Sequence, residues 1–159
     1  MALMQQTAKH FKDVHFGGNW TSVNLKDSLE GIEWQQAVKK VYNLNSIADL
    51  VFHINYYVSA IIKVLEGGPL DAHDKFSFDT PPIQSQADWN HLREKALNDA
   101  EKLSSLMEQL PDNKLEEDFD IGKYGNYFRN LHGLIEHTHY HLGQISLLKK
   151  IHGFTPTTP

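Results

Sequence analysis

Ser46-Ile47-Ala48-Asp49-Leu50-Val51-Phe52-His53-Ile54-Asn55-Tyr56-Tyr57-Val58-Ser59-Ala60-Ile61-Ile62-Lys63-Val64-Leu65 decides the fold class. Its apolar residues Ile47, Leu50, Val51, Ile54, Val58, Ile61, Ile62 and Leu65 recur at intervals of three and four, the period of a helix and not of a strand. Asn45 or Ser46 offers a side chain to cap the first turn. Gly67-Gly68-Pro69 then stops the helix, because proline cannot continue it.

Three further helices are expected around this one. The first runs from Ala2 to Val14 and ends near Gly17-Gly18. Another starts near Ser85, carries Trp89, Leu92, Ala96, Leu97, Ala100, Leu103, Leu106 and Leu110 on one side, and is closed by Pro111. The last spans Tyr127 to Ile151, with Gly153 as its stop. Between the first two, Asn19 to Leu29 reads as irregular or weakly extended and Ile32 to Val41 as a short helix or helical turn. Gly67 to Pro82 reads as a long loop, a kind of segment that is often functional. The pattern predicts an all-α protein, a four-helix bundle with long connecting loops. Residues 1–153 form its single domain, and 154–159, with two prolines, form a flexible tail.

Composition narrows the function. The chain has 159 residues, enough for one domain with its own core. It has no cysteine, which removes disulfides, thiolate zinc sites and a thiol nucleophile together. The net charge is -5, and the only adjacent basic pairs are Lys39-Lys40 and Lys149-Lys150, so nucleic-acid binding is not expected. No uninterrupted apolar run approaches the ~18 residues of a membrane span. The start, Met1-Ala2-Leu3-Met4-Gln5-Gln6, lacks the apolar core of a signal peptide. A cytoplasmic protein without membrane attachment is the expectation.

The chain has ten histidines. His137 and His141 stand four apart in the last helix, on one face with Leu134, Ile145 and Leu148, so that face turns inward. His53 sits among mostly apolar neighbours in the helix quoted above. If those two helices pack side by side, three imidazoles converge. Buried imidazoles need hydrogen-bond partners or a metal, and the sequence alone leaves both readings open. Three histidines with an open position is a catalytic zinc arrangement, and nickel or iron also accepts imidazole. Thr138 follows His137, so the His-Glu-x-x-His zinc-protease motif is absent. His132 and His139 are placed off this face. His10, His15, His73, His91 and His152 read as incidental. Gly143, inside the helix, reads as a packing contact; Gln144 reads as a support for a ligand or as a surface residue.

The run His137-x-x-x-His141-x-Gly143-Gln144-Ile145, together with His53 on an earlier helix, resembles the DinB-like superfamily, which includes DinB proteins and YfiT-type metal-dependent hydrolases. The resemblance covers nearly the whole chain in helix order and length. Tyr140 and Leu142 stand where many DinB proteins have histidine and arginine, which marks a variant branch. The resemblance implies an up-up-down-down bundle, a zinc or nickel ion held by His53, His137 and His141, and a homodimer. It implies a metal-dependent hydrolase acting through activated water on a small-molecule substrate. Related branches imply a thiol S-transferase instead, and a non-catalytic metal-binding, dimerising module is the third reading. Asp49 and Glu136 are the candidate general bases. Tyr56, Tyr57, Tyr124 and Tyr127 are candidate hydrogen-bond donors near the metal.

Overall fold

A computed structural model describes residues 2–153, and the expected flexible tail lies outside the described residues. The chain is all-α; among the described residues no strand forms beyond one isolated bridge, Asp118 to Asn126. The helices are α1 (Leu3–Phe16), α2 (Leu25–Leu29), α3 (Trp34–Ala37), α4 (Ile47–Leu65), α5 (Gln86–Glu108) and α6 (Tyr127–Ile151). The four long ones, α1, α4, α5 and α6, lie where the hydrophobic periodicity puts them, within two residues at each end.

Local chemistry explains the ends. Ser46 Oγ accepts the Asp49 N–H at 3.1 Å while Asp49 Oδ2 accepts the Ser46 N–H at 2.9 Å, a reciprocal capping box at the start of α4. Asn126 Oδ1 accepts the Arg129 N–H at 3.0 Å and caps α6. The start of α1 has a cap from far along the chain. Asp112 accepts the Leu3 and Met4 N–H groups at 3.0 and 2.9 Å, which holds its carboxyl below the usual range.

One local expectation needs correction and another is narrowed. Asn19 to Leu29 is not irregular throughout, since Leu25–Leu29 is helical. Asn24 Oδ1 accepts the Asp27 N–H at 2.9 Å, and Leu25 and Leu29, four apart, are both fully buried. Five residues are too few for periodicity to reveal. Of the short helix or helical turn expected in Ile32–Val41, the single turn Trp34–Ala37 forms. That segment is fixed by tertiary bonds instead: the Trp89 Nε1–H donates to the Ile32 carbonyl at 2.8 Å, and the Trp34 N–H to Gln86 Oε1 at 3.0 Å.

One cluster of buried apolar side chains fills the interior. α4 packs on α5 and α6, and α1 packs on the same two helices from elsewhere on the core. The α4–α5 contact also has a polar tie, in which Asn55 Nδ2 and Ser59 Oγ both donate to Asp99 Oδ2, at 3.0 and 2.9 Å. Among the described residues α4 is the one helix long and apolar enough to cross a membrane, and 67% of that stretch is buried inside the fold. Its apolar surface is therefore largely that of a core helix.

Candidate metal centre

The α4–α6 contact brings His53, His137 and His141 together. His137 Nε2 lies 2.9 Å from His53 Nε2 and 3.0 Å from His141 Nε2. His53 and His141 are buried and His137 is half-buried.

The outer ring nitrogens settle what the inner ones present. His53 Nδ1 faces the Ser77 carbonyl at 3.2 Å. A carbonyl only accepts, so Nδ1 carries the proton and Nε2 of the neutral ring offers a lone pair. His141 Nδ1 donates in the same way to Gln144 Oε1 at 2.7 Å, and its Nε2 is likewise a lone pair. Both lone pairs point at His137 Nε2, which has at most one proton to give. One of the two is left without a donor, while His137 Nδ1 is itself buried without a hydrogen-bond partner. A cation at the common focus satisfies all three nitrogens. Nitrogens held 2.0–2.1 Å from a tetrahedral zinc stand about 3.3 Å apart, so His137 needs to part from each of the other two rings by only a few tenths of an ångström. The residues present fit a divalent ion.

Electrostatics favours the ligand form. Burial is the main cause that lowers the pKa of all three rings; together with the neighbouring His141 and His53 it brings His137 to about 4. All three are neutral at neutral pH, the state in which imidazole binds metal.

The long loop expected from Gly67 to Pro82 builds a wall of the site. A short 3-10 turn, Asp74–Phe76, brings Ser77 and Phe78 over His53. The Phe78 ring stacks on the His53 ring with centroids 3.8 Å apart and planes 7° from parallel. The Tyr57 ring stands edge-on to His53 and His137. Its hydroxyl donates to Asp74 Oδ1. Burial first, and then that carboxylate, push the phenol up to about 12, so it stays protonated. A cleft of about 1430 Å³ opens onto all three histidines, walled by α4, residues 70–78, residues 119–125 and α6.

Not every residue picked from sequence belongs here. Tyr57 and Tyr124 line the cleft; Tyr56 and Tyr127 do not. Tyr56 instead staples the loop, accepting from the His73 N–H at 2.8 Å and donating to the His73 carbonyl at 3.1 Å. Tyr127 is buried against Phe119. Neither candidate base reaches the cleft. Asp49 is committed to the α4 cap, with Lys40 at 3.5 Å, and Glu136 is exposed elsewhere on α6. Gly143 makes no packing contact: it is exposed, and a Cβ there would meet nothing within 4 Å. His132 and His139 are absent from the lining, as helix phase predicts, whereas His73 joins it. His15 is fully buried, its Nδ1 against the Phe11 carbonyl at 2.8 Å. Ser77, Phe78 and Asp74 gave no signal in the sequence, because a loop has no period to read.

The chain matches no protein-family model, no curated protein and no solved structure.

Proposed function

We propose that this chain is a DinB-like, divalent-metal-dependent hydrolase of the cytoplasm, built as an up-up-down-down four-helix bundle and using zinc or nickel at His53, His137 and His141. The observation that carries the reading is the convergence of three neutral imidazoles in which two Nε2 lone pairs are fixed by hydrogen bonds on the far side of each ring. A divalent ion with three neutral ligands keeps its full charge and supplies Lewis acidity, lowering the pKa of a bound water toward ~7 or binding a thiolate.

The protein's own residues orient and enclose that site. Ser77 and Gln144 fix the tautomers and ring angles of His53 and His141. Phe78 and Tyr57 shield the rings from water. The cleft gives a substrate access to the focus of the three nitrogens, which favours an exchangeable position over a closed structural site.

One observation favours thiol S-transfer as the second reading. Among the described residues Asp74 is the only carboxylate in the cleft lining, and it already accepts the Tyr57 hydroxyl. Hydrolysis benefits from a free general base, whereas a thiolate held on a metal needs none. Turnover of thiols with electrophiles, set against turnover of esters and amides, separates the two. The family reading also expects a homodimer, which sedimentation would reveal.

The central test is metal content. After zinc loading and dialysis, wild type is expected to retain one equivalent, and His53→Ala, His137→Ala and His141→Ala far less. Equal zinc in all four proteins would refute the site.

A further inference from the structure

We infer that the cleft takes a small organic anion, its carboxylate or phosphate held by Arg129 and Lys123 while its other end reaches the three histidines. This rests on the metal reading for the far end of the ligand only.

Charge is the first observation. The chain as a whole carries -5, yet among the described residues the cleft lining holds Lys75, Lys123 and Arg129 against the single carboxylate of Asp74. Asp74 is engaged with Tyr57. Among the described residues neither Lys123 nor Arg129 has an ion-pair partner. Lys123 Nζ rests 5.1 Å from the centroid of the Tyr124 ring, and Lys75 Nζ 4.5 Å from that of Phe76. A cleft of net positive charge in a protein of net negative charge draws anionic ligands, and a metal with neutral ligands would add to the same field.

Placement is the second. Residues 122–126, which carry Lys123, are held against α6: Asn130 Nδ2 donates to the Tyr124 and Asn126 carbonyls at 3.1 and 2.8 Å. The chain before this turn is tied as well, the Phe119 N–H donating to the Gly125 carbonyl at 2.8 Å. The cations therefore stand on fixed backbone. Arg129 and His137 are two turns apart on α6, about 12 Å along the axis at 1.5 Å per residue. Between them lies Gly133, one turn before His137, where a Cβ would meet nothing within 4 Å. A glycine inside a helix costs about 1 kcal/mol relative to alanine, and here it leaves the floor of the cleft open between the two ends. The geometry suits an elongated ligand with an anionic head and a metal-seeking tail.

The test uses cobalt-loaded protein titrated with 6-mercaptohexanoate, 6-mercaptohexyl phosphate and 6-mercaptohexanol, read by the thiolate-to-cobalt absorption band. At least one anion is expected to bind about tenfold or more tighter than the alcohol, the size of one charge-assisted hydrogen bond. The tighter of the two anions tells carboxylate from phosphate. Lys123→Gln with Arg129→Gln, both exposed in the fold, should bring the anions down to the level of the alcohol. A metal-free arm follows the Arg129 side-chain N–H resonance on addition of hexanoate or inorganic phosphate, and a saturable shift with either is expected. Cobalt that fails to bind refutes the metal centre and leaves this arm to read the anion end by itself. Equal affinity for all three thiols, or an Arg129 resonance that ignores both anions, overturns the inference.

Discussion

Gln144 Oε1 accepts the Nδ1–H of His141 at 2.7 Å, across one turn of α6. The bond fixes which nitrogen of His141 faces His137, and it is made within a single helix, so it survives any shift between helices. Gln144→Leu should cost about 10- to 100-fold in zinc affinity, the usual effect of removing a partner behind a ligand. Gln144→Glu keeps an acceptor and should recover most of the loss. Competition with a chromophoric chelator measures both, and a Leu variant that binds like wild type would remove Gln144 from the site.

Phe78 supports His53 by stacking alone. Aromatic pairs are worth about 0.5–1.5 kcal/mol beyond area, so Phe78→Ala should weaken zinc binding by roughly two- to tenfold. Phe78→Tyr keeps the stack and should bind nearly as wild type. The same chelator assay reads both variants. Unchanged affinity in the alanine variant would mean that the loop does not hold the ring.

Gly143 and Gly133 lie inside α6 with open space where a Cβ would stand. Each change to alanine should therefore stabilise the fold by about 1 kcal/mol, seen as a higher urea midpoint at constant slope. The two should then part company. Gly133→Ala puts a methyl group on the cleft floor and should weaken binding of long anionic ligands, whereas Gly143→Ala should not. A loss of stability at Gly143 would show that this face of α6 is covered in solution.

His15 makes stability depend on pH. It is fully buried beside Phe11, and burial, outweighing its backbone bond, lowers its pKa from 6.5 to about 4. The unfolded chain therefore binds more protons at this residue between those two values, so stability falls as pH drops through that window and is unaffected above it. From pH 7.5 to 4.5 the metal-free wild type should lose about 2 kcal/mol more than His15→Gln. Urea titrations at the two pH values give the difference. Equal losses would place the acid sensitivity in the other histidines.

The four long helices and the pair His137 and His141 are legible in the sequence. Both are properties of period along one chain: apolar residues three and four apart must share a helix face, and so must two histidines four apart. The same logic separated His132 and His139 from that face. Tertiary structure alone decided what period does not encode. The capping of α1 by Asp112 joins residues more than a hundred positions apart. The approach of His53 to His137 depends on α4 packing against α6, which local sequence permits but does not specify. Asp49 reads as a free acid in the sequence and is a capping group in the fold. Phe78 and Ser77 enter the site because a loop without periodicity folds back over α4. Arg129 and Lys123 join the site only once the fold shows that both line the cleft. Periodicity reports which side of a helix is buried; what it is buried against is a matter of packing between elements, and that is where the histidines of this protein meet.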